Sequence, residues 1–215
     1  MSFNEYNRDQ LDALALIRDF FRNKPSYQKD HIAKMVQSYL DFRASVDDFH
    51  KKYLSDICTV KCFQEMQSAC CNKEGIATFF ADFAVNILYS EDADLDIMEE
   101  QLLRGASGNK CVYLTDSGCL WHHKPIVCEM FLCDHAKKSL GERGSSLLSK
   151  WAQLRKEEKK YTWPDKPVLF DELEAMFLAE GIESTLMYFH KSPGLIRIKS
   201  KWKNNINIKS DQYFA

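Results

Sequence analysis

This sequence lacks a strong charge, an export signal and a long apolar run. Its formal net charge of −2 gives no general attraction to nucleic acid or to an anionic membrane. The first ten residues contain no basic region followed by an apolar stretch, so we expect no secretory signal and a cytoplasmic protein. The longest apolar-rich segment, residues 76–89, is too short to span a bilayer and is interrupted by Asp82 and Asn86, so we expect no membrane partner.

Short motifs for nucleotide binding and catalysis are absent as well. Neither G-x-x-x-x-G-K nor G-x-G-x-x-G occurs, and a glycine-rich site for S-adenosylmethionine is not visible. The G-x-S-x-G motif of many hydrolases is missing. No C-x-x-C pair is present, which disfavours a thioredoxin-type redox site. The sequence therefore names no reaction, and whether the chain is an enzyme stays open.

Cysteine is missing from most of the chain, because all eight cysteines lie between residues 58 and 133. A chain that used cysteine only as a small core residue would scatter it. Thiols stay reduced in the cytoplasm, which favours metal ligands or redox groups over disulfides. A disulfide framework would require export, and eight buried free cysteines are the purely structural alternative.

Apolar and aromatic residues, in contrast, are abundant. They make up 45% of the chain and include 14 Phe, 9 Tyr and 4 Trp, which is enough for a folded core. The apolar spacing predicts a single, mainly α domain over residues 1–215. Residues 8–22 and 28–55 are predicted as the two helices of an N-terminal αα-hairpin, which lies within residues 1–57.

Further helices are predicted beyond this hairpin. Their ranges are 76–89, 95–104, 125–135, 145–160 and 168–180. Asp94 is the expected N-cap of the second of these helices, and Gly105 is its expected end. Residues 58–135 form a cysteine-rich core, and residues 136–215 form a C-terminal helical region. We therefore expect a helical domain with a small cysteine-rich, metal-binding loop or β-hairpin element.

The spacing of the first four cysteines places them in two pairs. Cys58 and Cys62 are four residues apart, so in a helix they share one face and could hold one metal centre. Cys70 and Cys71 are adjacent, so on regular backbone their side chains diverge. This doublet could serve two metals or two corners of one cluster.

The last four cysteines follow a predicted hairpin and helix. Residues 111–121 read as two short strands around a turn, which brings Cys111 and Cys119 together. Cys128 lies on the next predicted helix. Cys133 is five residues later, roughly 140° around an ideal helix, so it faces away from Cys128 unless the helix breaks.

These residues supply more ligands than one tetrahedral metal site needs, which is four. The principal candidates for metal ligands are Cys62, Cys70, Cys71, Cys111, Cys119 and Cys128. Cys58 and Cys133 are second candidates, because their spacing leaves them optional. His122 and His123 are candidates for a nitrogen ligand or a proton donor, although the thiolates already suffice for tetrahedral coordination.

The order of the cysteines resembles the zinc- or iron-chelating cysteine-cluster family, the CxxCxxCC proteins. The similarity is carried by Cys70-Cys71, Ile76, Cys111, Tyr113-Leu114, Cys119-Leu120-Trp121, Lys124-Pro125, Cys128 and Phe131. Lys124 takes the place of an Arg in the family pattern. The two cysteines that precede the doublet in the family correspond here to Cys58 and Cys62, with seven residues between Cys62 and Cys70.

The resemblance covers residues 58–133 and implies binding of zinc or iron. It implies no settled activity, although some flagellin lysine N-methylases carry a similar cluster. All-cysteine zinc would be structural and closed, whereas an iron–sulfur cluster could move electrons or bind a substrate at an open iron. The doublet and the surplus of thiols favour an iron–sulfur cluster, in one or two metal centres. Lys61, Lys110 and Lys124 could offset the thiolate charge.

Two charged segments have simpler interpretations. Residues 91–100 contain six acids without the spacing or glycine of a calcium loop, so we interpret them as a solvated helix start. Residues 191–209 contain six basic residues with Trp202 and no acid, a composition that could contact nucleic acid. The near-neutral chain favours a solvated basic tail instead, so nucleic acid is not expected as a partner.

Three functions are compatible with these observations. The first is a redox or iron–sulfur protein, which could act as an accessory to an enzyme. The second is a structural zinc module that presents helical surfaces to a protein partner. The third is an enzyme that modifies a protein side chain, and it requires a cofactor pocket beside the cysteines.

Overall fold

The computed structural model describes residues 5–72, 77–106, 108–164 and 166–206, with the side chains of residue 199 and of residues 201–206 left aside. Over these residues the protein is mainly helical, as the sequence predicts. None of the helices in this part of the chain combines the length and the apolar character that crossing a membrane requires.

The described residues form ten α-helices, one π-helix and one strand pair. The α-helices are α1 (Glu5–Asn23), α2 (Ser26–Tyr53), α3 (Phe80–Tyr89), α4 (Asp92–Arg104), α5 (Ile126–Glu129), α6 (Asp134–Arg143), α7 (Ser145–Thr162), α8 (Leu169–Ala179), α9 (Tyr188–Lys191) and α10 (Pro193–Ile206). The π-helix spans Ser55–Gln64, and the strands are β1 (Leu114–Thr115) and β2 (Gly118–Cys119). The strands pair in antiparallel fashion, with Leu114 opposite Cys119.

Helix α3 is the centre of the core. Eight of its ten residues are buried, Asp82 and Asn86 among them, which explains why its apolar residues are not confined to one stripe. It packs against α1, α2 and α8. Phe80 meets Phe177 of α8 with ring centroids 4.9 Å apart, and Phe177 lies 4.2 Å from Phe20 of α1.

The same helix anchors the strand pair. The ring of Phe83 lies 4.6 Å from that of Trp121, which follows β2. Trp121 also contacts Tyr113, at 5.2 Å, just before β1. Burial of these three aromatic rings fixes the short hairpin to the body of the protein. The two residue pairs of the hairpin would not be stable alone.

The boundaries of several predicted helices differ from the structure. The helix predicted over 28–55 ends at Tyr53, and the chain continues as the π-helix. The helix predicted over 76–89 begins at Phe80, and Ile76 lies outside the described residues. Helix α4 begins at Asp92 with Glu91 as N-cap instead of Asp94, and it ends at Gly105 as expected.

The helix predicted over 125–135 is in fact two helices. Helix α5 ends at Glu129, and α6 begins at Asp134. Met130 and Leu132 between them are both buried, although residues two apart on a continuous helix would face different sides. The region after residue 182, which has no clear pattern in the sequence, contains α9 and α10.

Candidate metal centre

The eight cysteines come from five separate pieces of residues 58–135, with α3 and α4 between the second and the third. The π-helix carries Cys58 and Cys62, the loop after it carries Cys70 and Cys71, the hairpin region carries Cys111 and Cys119, α5 carries Cys128, and Cys133 precedes α6. All eight are free thiols. Cys70, Cys119 and Cys128 are exposed, and the other five are half-buried. The cysteines therefore lie at the surface of the core rather than inside it.

The loop between the π-helix and the doublet folds back on Cys62. The backbone N–H groups of Gln67 and Ser68 donate to the carbonyl of Cys62 at 2.9 and 3.1 Å. The N–H of Ala69 points at the sulfur of Cys62 at 3.4 Å. Met66 and Ser68 adopt positive φ angles of 57° and 37°, a conformation that L-residues adopt only under constraint. This turn places the doublet beside Cys62.

The doublet is joined to the hairpin by backbone hydrogen bonds. The N–H of Cys111 donates to the carbonyl of Cys71 at 3.1 Å, and Asn72 forms an antiparallel bridge with Lys110. Beyond Cys111, the N–H of Leu114 donates to the carbonyl of Cys111 at 3.2 Å. Leu114 is paired with Cys119 in the antiparallel strand pair, and the proximity of the Cys111 and Cys119 thiols stays a prediction.

The segment that leads to Cys128 is held by side chains from α2 and α3. The Asp82 carboxylate accepts from the N–H of Ile126 at 3.0 Å, and the Asn86 Oδ1 accepts from the N–H of His123 at 2.9 Å. Arg43 donates to the carbonyl of Lys124 at 2.7 Å. These bonds fix the backbone just before α5 and so fix the position of Cys128.

Asp82, Asn86 and Arg43 are positioning residues that the sequence does not identify as such. In the sequence, Asp82 and Asn86 only interrupt an apolar segment. Their signal is that two polar residues stand four apart in an otherwise apolar helix, where each must find a hydrogen-bond partner. Arg43 is buried and also pairs with Glu129 at 3.7 Å, which ties α2 to α5.

Cys133 does not lie on the same helix as Cys128. Because α5 ends at Glu129, the expectation that Cys133 faces away from Cys128 on a continuous helix does not apply. Cys133 is the N-cap of α6, and its sulfur accepts from the N–H of Ala136 at 3.5 Å.

Most of the cysteines with a shifted pKa have it raised by the surrounding protein. Desolvation raises the pKa of Cys58 and of Cys111 to about 11. Cys128 is exposed by surface area, yet protein atoms crowd its sulfur, so that desolvation and then the charges of Cys111 and Cys119 raise its pKa to about 12. A bound cation would reverse these shifts, because metal ligation requires the thiolate and releases the proton.

The doublet is electrostatically asymmetric. The hydrogen bond between the two thiols raises the pKa of Cys70 and lowers that of Cys71. The two thiols therefore lie close to each other, whereas adjacent side chains on regular backbone would diverge. The positive charge of Lys124 lowers the pKa of Cys70 and of Cys119, each against a larger opposing effect. Lys124 thus lies where it offsets thiolate charge.

The other candidate neighbours of the thiols have separate roles. The Lys110 ammonium bonds to the carbonyls of Gln67 and Ser68, and so it fastens the turn before the doublet. Burial, and then the charge of His122, lowers the pKa of His123 to about 4, which keeps this imidazole neutral. Its ring packs edge-on against Tyr89 at 5.6 Å.

The thiols match zinc and iron–sulfur clusters in kind and in number of donors. As they stand, however, no three His, Cys, Asp or Glu side chains among the described residues form a group that could hold a metal ion. The cysteines are brought into one region without converging on a common point. Ligation would therefore require their side chains to turn inward.

Two open cavities lie elsewhere. They have volumes of about 500 and 550 Å³ and are lined by residues of α2, the second also by Phe20 and Met176. No cysteine of the described chain lines either cavity. Neither therefore provides the cofactor pocket that an enzyme using the cysteines would require.

The acidic segment has a structural role. Arg18 of α1 pairs with Asp92 at 2.9 Å and with Glu99 at 3.3 Å, and Arg22 pairs with Asp92 at 3.0 Å. These bonds fasten α4 to α1, while the carboxylates themselves stay largely exposed. The acids therefore neutralise the cations of α1.

Comparison with known proteins adds no relative: no family model, no curated protein and no solved structure matches this chain. The resemblance to the cysteine-cluster family stays a hypothesis that rests on the residues quoted for it.

Proposed function

We propose that this protein binds zinc or iron through its clustered cysteines, with an iron–sulfur cluster as the first candidate and a redox or accessory role. The observation that carries this proposal is that distant segments are held in one region by hydrogen bonds. Backbone hydrogen bonds bring together the loop of Cys62, the doublet and the hairpin cysteines, while Asp82 and Asn86 hold the approach to Cys128. Cys58, Cys111 and Cys133 also pack against the core, whereas the exposed Cys70, Cys119 and Cys128 have no evident purpose in packing.

The chain's own residues would prepare and hold such a group. The six principal ligands would be Cys62, Cys70, Cys71, Cys111, Cys119 and Cys128. The group, when bound, would supply either electron transfer or, for zinc, cross-links between loops. Lys124 would compensate thiolate charge, and the N–H of Ala69 would stabilise the Cys62 sulfur. Hydrogen bonds to ligand sulfurs are a known means of tuning a bound cluster.

The test is elemental analysis and an absorption spectrum of protein purified without oxygen. We expect stoichiometric metal and, for an iron–sulfur cluster, a brown protein whose broad visible absorbance is lost on oxidation. The double variant Cys111→Ser/Cys128→Ser should lose metal, whereas Ser117→Ala on the exposed hairpin turn should keep it. A folded wild-type protein without bound zinc or iron would refute the proposal.

A structural zinc module is the second candidate, and one observation favours it. Four of the eight cysteines, Cys70, Cys71, Cys111 and Cys119, lie in residues 65–72 and 108–125, which contain little regular structure. Metal ligation can stabilise such loops where the local core is weak. A colourless protein with stoichiometric zinc would select this candidate, in which the helical surfaces contact a protein partner.

A further inference from the structure

Helix α10 carries apolar side chains that the rest of the chain leaves uncovered. The helix packs on the short helix α9, and Leu195 is buried. Ile196 and Ile198, in contrast, are 49% and 44% exposed. The exposed Arg197 between them has no ion-pair partner in the part of the chain that the structure describes. The exposed isoleucines distinguish α10 from a simply solvated basic tail.

The charge of α10 is entirely positive. Residues 191–209 contain six basic residues and no acid, and four of these cations lie within α10. Lys199 and Lys201 follow Ile196 and Ile198 by three residues, so these positions are neighbours on the helix surface. A surface of this kind fits an acidic surface that also exposes apolar side chains.

Helix α4 of the same protein offers such a surface. Ile97 is 51% exposed and Leu103 is 57% exposed. Asp94 precedes Ile97 by three residues and Glu100 follows it by three, so the two acids flank the isoleucine on the helix surface. Both acids are exposed. The pattern of α10 thus recurs on α4 with the opposite charge.

The arginines near α4 offset only part of its acidity. Residues 91–104 contain six acids. The arginines that pair with acids of this segment are Arg18, Arg22 and Arg104, which leaves a net charge of −3. Asp94 has no ion pair among the described residues. This uncompensated charge is of the size and sign that the four cations of α10 can neutralise.

We propose that α10 of one copy of this protein docks on α4 of a second copy. The exposed isoleucines of α10 pack against Ile97, and the cations of α10 face the acids of α4. In a symmetric dimer each copy supplies one α10 and one α4, so the same contact is made twice. The inference is independent of metal binding by the cysteines.

This dimer is expected to be weak and sensitive to salt. Two contacts between helices of 14 and 13 residues make a small interface, which we place below about 1,200 Å². The charges on both helices are exposed, and salt screens such charges over about 10 Å at 0.1 M. The apolar contacts give the pair of helices a fixed seat, and the charges select it.

Sedimentation velocity of the reduced full-length chain tests the proposal. We expect a monomer–dimer equilibrium with a Kd of about 10–100 μM, weaker than for interfaces of standard size. The Kd should rise about tenfold between about 0.05 and about 0.5 M salt, because the charges are screened. This salt dependence is measured on the wild type and does not depend on the folding of any variant.

Reversal of charge on each helix identifies the two surfaces. Arg197→Glu/Lys201→Glu should abolish dimerisation, because acids then face acids. Asp94→Lys/Glu100→Lys should abolish it as well, because cations then face cations. An equimolar mixture of the two variants should form a heterodimer, since each α10 then meets an α4 of opposite charge in both contacts. Circular dichroism checks that each variant is folded.

The control is Lys51→Glu/Lys138→Glu, which makes the same change in net charge at exposed sites on α2 and α6 and should dimerise like the wild type. A wild type that stays monomeric at about 1 mM would overturn the proposal. Binding of that monomer to vesicles of anionic phospholipid would then assign α10 to a lipid surface instead. Dimerisation that survives both reversals, or a mixture without heterodimer, would place the interface elsewhere and would equally overturn it.

Discussion

Asp82 is a fully buried carboxyl group that serves two backbone donors. Its oxygens accept from the N–H of Phe79 and from the N–H of Ile126, each at 3.0 Å. Burial raises its pKa from 3.8 to about 6, although these donors and Arg43 act in the opposite direction. Because the pKa of Asp82 is higher in the folded than in the unfolded state, its protonated carboxyl group stabilises the fold. This stabilisation is complete below about pH 4 and is lost as the pH rises through about 6.

This residue gives a pH prediction for the metal-free, reduced chain. Asp82→Asn keeps one acceptor oxygen but cannot ionise. The free energy of unfolding of the wild type, relative to this variant, should fall by up to about 3 kcal/mol between about pH 4 and about pH 7, from a shift of roughly two pKa units. Urea unfolding at several pH values measures this difference.

The control for this measurement is Asp134→Asn, which alters a fully exposed carboxylate and should show no such trend. If the free energy of unfolding of the wild type, relative to Asp82→Asn, instead rises with pH, the prediction is wrong in sign. Arg43 and the two N–H donors would then outweigh burial in setting the preferred charge of Asp82.

At the scale of elements, the segment before α5 has almost no regular structure and is held from outside. Asn86 of α3 contributes the bond to the N–H of His123. Asn86→Ala should therefore loosen the approach to Cys128 and weaken zinc binding by about tenfold, the lower range for residues that orient metal ligands. Competition with a chromophoric chelator measures the affinity.

A matched substitution separates positioning from general stability. Asn23→Ala makes the same chemical change at an exposed site whose side chain bonds within α1 to Asp19, and it should leave zinc affinity unchanged. If Asn86→Ala destabilises the fold but binds zinc as tightly as the wild type, Asn86 does not position the cysteines.

The elements show which structural features the sequence encodes locally. Helix α1 was predictable because its apolar spacing is regular, and Gly105 marks the end of α4 with a φ of 79°. The π-helix was not predictable, because its shifted hydrogen bonds leave no distinct apolar period. The break after α5 was missed because it depends on burial of Met130 and Leu132 against other parts of the chain.

The candidate site, too, can be predicted only in part from the sequence. The sequence identifies the cysteines through their clustering, and it predicts the proximity of Cys111 and Cys119 from a local turn. It does not reveal that Ala69, the residue before the doublet, lies against the Cys62 sulfur, because a turn with positive φ at Met66 and Ser68 brings it there. Nor does it reveal the support of Cys128, which comes from α2 and α3.

At the scale of the whole molecule, the aromatic core and the cysteines occupy different places. Phe20, Phe80 and Phe177 join α1, α3 and α8 through direct ring contacts that involve no thiol. This core buries large apolar side chains, each worth about 1.5–3 kcal/mol on burial. Removal of metal should therefore leave the helices formed while it releases the loops that carry the thiols.

Chelation under reducing conditions tests this separation. We expect the far-ultraviolet circular dichroism to stay close to that of the metal-loaded protein, because the helices pack on the aromatic core. Limited proteolysis should gain new cleavage sites within residues 65–72 and 108–112, while α3 and α8 stay resistant. If chelation instead abolishes the helical signal, metal is required for folding of the entire chain. The zinc-module candidate, in which metal holds the structure, would then be favoured over a redox role.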